Sequence, residues 1–224
     1  MDANEERTVP AQPPIMDATA PVFPAGYPHG LERDVAGDGS GNGSGRLHFH
    51  LRPIRPDDAP RLVAFHRKLS PHSVYMRFFT FHPTLSDAEV ARFTTVDYVD
   101  RLALVATVGD RLVAVGRFDR APGETEAEVA FIVADEFQHH GVGTLLLDEL
   151  ARAARERRVE TFRADTLAEN SAMLDVFRHA GFPVTSTIEY GTVTLRFPIG
   201  LTDDYRSALA AREATRRFPP GGAA

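Results

Sequence analysis

The stretch AEVAFIVADEFQHHGVGTLLLDEL, residues 127–150, changes its period halfway along. Residues 126–134 are mostly apolar and read as a strand, on which a two-residue repeat puts Glu126, Glu128, Ala130 and Ile132 on one face. Beyond Gly141 and Gly143 the repeat becomes helical, with Val142, Leu145, Leu146, Leu150 and Ala153 on a single stripe. Strand, glycine loop and helix start together make an anion site. The first N–H groups of a helix lack intrahelical partners, and glycine lets a phosphate approach the main chain. A Rossmann fingerprint or a P-loop opens the same way, but neither G-x-G-x-x-G nor G-K-[ST] occurs.

Working outward, Leu47, Phe49 and Leu51 alternate with polar residues as a strand, and Pro53 marks its edge or end. Asp57 and Asp58 precede a helix in PRLVAFHRKL, and Ser86 with Glu89 has capping-box spacing at the start of another. Strands 102–108 and 112–118 flank the turn pair Gly109-Asp110. After the central helix come a strand at 161–166, a helix at 170–180 closed by Gly181, and strands 184–189 and 192–197 joined at Tyr190-Gly191. This order predicts an α/β fold: a mixed, mostly antiparallel sheet with helices on both faces.

The chain has 224 residues, 43% hydrophobic and 25% charged, which suits one domain with tails. We expect a loosely attached tail and Gly-rich linker at 1–45, a catalytic domain at 46–200 and a C-terminal tail at 201–224. The absence of cysteine excludes disulfides, thiolate metal sites and a Cys acyl-enzyme. Residues 46–200 carry 21 acidic and 19 basic residues, too balanced for a duplex nucleic acid ligand. With no secretory leader and no apolar run of membrane-spanning length, a cytoplasmic protein without membrane contact is expected. His48 with His50 and His139 with His140 lack a third clustered ligand, so no metal is expected.

The run Gln138-His139-His140-Gly141-Val142-Gly143 resembles the Q/R-x-x-G-x-G/A signature of the GNAT acetyltransferase superfamily, and the resemblance extends over about residues 46–198. LRPIRPDD, VDYVDRLALVA, AEVAFIVADEFQ and LAENSAMLDVFRHAGF are similar to bacterial protein lysine acetyltransferases and to acetyltransferase modules fused to acyl-CoA synthetases. The resemblance implies acetyl-CoA as co-substrate and a lysine of an acyl-CoA synthetase as acceptor. It places pantetheine on the backbone of Phe131, Ile132 and Val133. Gln138, His139, His140, Gly141, Val142, Gly143 and Thr144 form the loop, with the N–H groups from His139 to Thr144 around the pyrophosphate. Asn170 stands beside the coenzyme arm, although a plain helix N-cap explains it equally well. Arg178 reaches the phosphates. His139-His140 departs from the Gly-Arg of many relatives, which removes one charged donor.

Glu128 matches the family's catalytic glutamate, and the chemistry asks for such a group. A lysine amine of ordinary pKa is neutral in only about one molecule in 2,500 at pH 7, a cost of roughly 4.6 kcal/mol before attack. A carboxylate among small and apolar neighbours would have its pKa raised toward that of a useful base. Arg77, within SVYMRFFTF, is a further candidate to orient an acceptor or a coenzyme group; its aromatic neighbours read as packing. A small-molecule amine acetyltransferase and a coenzyme-binding module without turnover are the competing readings.

Overall fold

The computed structural model describes residues 23–36 and 47–217. Eight strands form one sheet in the order β1-β2-β3-β4-β5-β6-β8-β7. They are β1 (Arg33–Ala36), β2 (His48–Pro53), β3 (Arg101–Val108), β4 (Arg111–Asp119), β5 (Glu126–Val133), β6 (Thr161–Leu167), β7 (Thr185–Glu189) and β8 (Thr192–Pro198). All neighbours are antiparallel except β5 and β6. The helices are α1 (Ala59–Lys68), α2 (Pro71–Phe78), α3 (Asp87–Thr94), α4 (Val142–Glu156), α5 (Ser171–Arg178) and α6 (Asp203–Arg217).

Helices cover both faces of the centre of the sheet. On one side Gly116 of β4 meets Phe131 and Leu150 of α4, so closely that a Cβ at 116 would stand 2.8 Å from the Phe131 ring. On the other side α1, α2 and α3 lie over Val115, Arg117, Ala130 and Ile132. Covered twice, β3 and β4 are buried along almost their whole length and lose the apolar-polar alternation of a half-exposed strand. At the far edge β7 is exposed throughout.

The local signals hold where they were read. Gly109-Asp110 joins β3 to β4, and Tyr190-Gly191 joins β7 to β8 with φ of 47° and 82°, the left-handed pair that a tight hairpin turn needs. The Ser86 and Glu89 capping box is present in both directions. Helix α2 is an addition to the sequence reading. Its start, Ser70 as N-cap to the Ser73 N–H and Pro71 at the first turn, is a helix signal that the aromatic run after it obscures.

Two expectations about the tails need correction. Residues 23–36 are docked: β1 pairs with β2, Tyr27 and Leu31 are buried, and the Tyr27 hydroxyl donates to Glu32 at 2.7 Å. The C-terminal segment contains α6, whose Tyr205 is fully buried and stacks on Phe182 with ring centroids 4.2 Å apart. Arg212 of α6 donates to both carboxylate oxygens of buried Asp148 in α4, at 3.1 and 2.7 Å. The linker 37–45 and the first 22 residues lie outside the described residues.

Candidate active site

The parallel pair β5 and β6 is in register only from Glu126–Glu128 against Thr161–Arg163. Beyond Glu128 the two strands part, β6 continuing along β8 to Leu167 while β5 stays with β4 to Val133. Antiparallel pairs alternate in hydrogen bonding, and the Ala134 N–H to Val113 carbonyl bond fixes the phase. Ile132 therefore exchanges its backbone bonds with Val115, whereas Phe131 and Val133 turn theirs into the opening. This corrects the expectation for Ile132: its backbone is committed to β4 and its side chain goes under the helices. The Val133 carbonyl accepts from the Gln138 side-chain amide at 3.2 Å, which leaves the Val133 N–H and both groups of Phe131 along an edge that no other strand pairs among the described residues.

That edge runs through a short 3-10 turn, Asp135–Phe137, to the start of α4. His139 and Gly141 adopt left-handed conformations, with φ of 63° and 73°. The first bond of the helix runs from the Leu145 N–H to the Gly141 carbonyl, so the N–H groups of Val142, Gly143 and Thr144 have no partner within it, and no side chain caps them. The positive end of a 15-residue helix adds to their pull on an anion. Asp135 anchors the loop to α2, accepting from the Ser70 N–H at 2.9 Å and from the hydroxyls of Ser70 and Ser73 at 2.6 and 2.7 Å. Burial alone would raise the Asp135 carboxyl, but these hydrogen bonds outweigh it and hold it below the usual range. The Gln138 side chain serves the same clamp, whereas His139 is exposed and His140 half-buried.

Glu128 lies exposed where the two strands begin to part. Its expected apolar surroundings are not what the fold provides. Its neighbours across the strands are Asp119 in β4 and Arg163 in β6, and Arg163 is itself paired with Asp165 at 2.6 Å. Arg77 of α2 feels both carboxylates: burial and nearby Arg117 push its guanidinium down to about 10, against the opposing pull of Glu128 and Asp119. Arg117 was not singled out from the sequence, although a lone arginine inside the apolar strand LVAVGRFD signals a buried cation.

The Asn170 side chain accepts from the Met173 N–H at 3.1 Å, so it caps α5. Arg178 is exposed at the end of that helix, 4.0 Å from Asp175. Among the described residues no group of three His, Cys, Asp or Glu side chains could hold a metal, and no helix is long and apolar enough to cross a membrane.

The geometry has known counterparts. The family model of the acetyltransferase (GNAT) domain matches residues 48–183. Acetyltransferase Pat of Mycolicibacterium smegmatis is 34% identical over 137 residues, 59% of this chain, which spans only 40% of that relative's length. The GNAT domain of S. lividans PAT superposes with a TM-score of 0.70 at 41% identity, covering 77% of this chain and 99% of that domain. An acetyltransferase of Salmonella typhimurium solved with its cofactor acetyl-CoA shares the fold at 17% identity and a TM-score of 0.56, over 69% of this chain and 96% of that one. The chain belongs to the acetyltransferase (GNAT) family.

Proposed function

We propose that this chain transfers the acetyl group of acetyl-CoA to the ε-amine of a protein lysine, with an acyl-CoA synthetase as the acceptor protein and the cytoplasm as its location. The observation that carries the reading is the unpaired edge of β5, which runs into the uncapped start of α4 and has Glu128 at its other end. The edge at Phe131 and Val133 complements the amides of a pantetheine arm, as an added strand would. Backbone N–H groups from His139 to Thr144 complement a pyrophosphate. Asn170, while capping α5, and Arg178 at its end stand as further contacts to the coenzyme.

Glu128 takes a proton from the attacking amine, directly or through one water, as the nitrogen bonds to the thioester carbonyl carbon. The carbon–sulfur bond then breaks and the departing thiolate takes up a proton. Exposure of Glu128 suits a lysine arriving on the surface of a folded protein. The lysine acceptor draws support from the similarity to Pat and PAT and from LRPIRPDD and VDYVDRLALVA, which lie outside the coenzyme loop.

The test is to incubate the purified chain with acetyl-CoA and an acetyl-CoA synthetase. Mass spectrometry should find one acetylated lysine, synthetase activity should fall, and lysine-to-arginine replacement there should abolish the label. Rapid turnover of a small amine without site-specific protein labelling would overturn the protein acceptor.

A further inference from the structure

Between the sheet and helices α1, α2 and α3 lies a cavity of about 40 Å³. Its walls are mostly apolar, yet three polar side chains line it with hydrogen-bonding capacity unmet. Arg117, buried in β4, gives its Nε to Asp119 at 3.1 Å and lies over the Phe93 ring at 4.7 Å, while its Nη2 has no partner. His66 of α1 is only 4% exposed, and neither ring nitrogen has a partner. Burial holds that imidazole below its ordinary pKa, so it is neutral and keeps one N–H to donate. Arg77 makes no hydrogen bond or ion pair among the described residues. The one acidic side chain bonded to this group, Asp119, is shared between Arg117 and Arg101.

Two guanidinium groups with donors to spare and a neutral imidazole make a pocket for an anion, and the planar fork of arginine fits a carboxylate best. Size agrees: at about 10–15 Å³ for each water-sized group, the cavity takes about three, and a carboxylate has three heavy atoms. Its position links it to the reaction. Ala130 and Ile132 form part of the wall and alternate along β5 with Phe131 and Val133, whose backbone edge is where the coenzyme arm is placed under the proposed function.

We propose that this cavity receives the terminal carboxylate of an acidic acyl group, so that acyl-CoA donors of the malonyl and succinyl class are used besides acetyl-CoA. The balance is that of acetyl transfer. The nitrogen–carbon bond forms, the carbon–sulfur bond breaks, the amine proton goes to Glu128 and the thiolate is protonated. The product amide ends in a carboxylate, so a cationic lysine becomes an anionic side chain.

The inference rests on the coenzyme lying along β5, and the test separates the two. Acetyl-, butyryl- and succinyl-CoA are titrated into the full chain by calorimetry, butyryl-CoA having the four carbons of succinyl-CoA without its carboxylate. Succinyl-CoA should bind at least tenfold tighter than butyryl-CoA, and mass spectrometry should find a succinylated amine. Arg77→Gln and, separately, Arg117→Gln should lower kcat/KM for succinyl-CoA at least tenfold more than for acetyl-CoA. Circular dichroism checks the fold of each variant, and Arg77→Gln carries the test if Arg117→Gln fails to fold. Binding of acetyl-CoA with no preference for succinyl- over butyryl-CoA overturns the acidic donor and leaves the coenzyme placement standing. Failure of all three to bind overturns both. Thermal stabilisation by free succinate, with succinyl-CoA inactive as a donor, would make the cavity a site for a free carboxylate and also overturn the donor claim.

Discussion

The Gln138 side-chain amide donates to Ser73 Oγ at 3.1 Å, so the residue that opens the glycine-loop signature is tied to α2 on the opposite side of the site. The same amide holds the Val133 carbonyl, and Asp135 grips Ser70 and Ser73. The glycine loop and α2 are therefore one hydrogen-bonded unit. The Gln138 amide nitrogen is thus engaged within the protein by both contacts.

If Glu128 is the base, Glu128→Gln should reduce kcat by about 10²–10⁴ and leave acetyl-CoA affinity nearly unchanged. Steady-state kinetics at neutral pH combined with calorimetry read the two effects separately. Near-normal turnover would remove Glu128 from the mechanism.

The two loop glycines should respond differently. A Cβ at Gly143 meets Val176 of α5 at 3.4 Å, an ordinary contact, so Gly143→Ala should fold well and weaken acetyl-CoA binding about tenfold or more by crowding the phosphate approach. Gly141 sits at φ 73°, so Gly141→Val should also lose about 1–2 kcal/mol of stability through backbone strain. Calorimetry and thermal melts check the pair, and unchanged affinity in both well-folded variants would put the coenzyme elsewhere.

Asp58 is fully buried and bonds Arg52 through both oxygens, at 2.6 and 2.7 Å. Burial would raise its carboxyl, but the guanidinium and the Arg55 N–H outweigh it and hold it below the ordinary 3.8. A carboxyl depressed on folding contributes fully above its unfolded pKa and loses that contribution as pH falls through the lower folded value. Asp58→Asn should therefore lower Tm at neutral pH, by a margin that narrows below about pH 4. A margin that stays constant on acidification would show that Asp58 is not the group responsible.

Deleting residues 1–36 should destabilise the protein. Tyr27 and Leu31 are buried, and fully burying such side chains contributes about 1.5–3 kcal/mol each. At about 2–4 °C per kcal/mol the melting temperature should fall by roughly 6–24 °C, with acetyl-CoA binding retained. An unchanged Tm would show that the docked segment adds nothing.

At the other end, Arg212→Ala should leave buried Asp148 short of its guanidinium. Because Arg212 is itself partly exposed, the loss should be about 2–3 kcal/mol, below the 3–5 of a fully buried pair, or roughly 4–12 °C in Tm. Differential scanning calorimetry measures it, and a shift under about 1 °C would mean that α6 is held by Tyr205 packing alone.

The sequence by itself determined what is local. The change of period across residues 127–150, the turn pairs Gly109-Asp110 and Tyr190-Gly191, and the glycines at the start of α4 each act through the conformations of a few adjacent residues, and the fold follows them. Tertiary structure decided what depends on distant partners. Whether Glu128 sits among apolar or charged groups is set by the registers of β4 and β6, which bring Asp119 and Arg163 beside it. Asp58 reads only as an acid before a helix until β2 places Arg52 against it. The parting of β5 from β6 leaves no mark in β5, since an unpaired edge is a property of the strand that turns away. Arg117, His66 and α6 likewise gain their environments only when helices close over the sheet. Burial and strand pairing are relations between segments tens of residues apart, whereas propensity and period record only a residue's immediate chain neighbours.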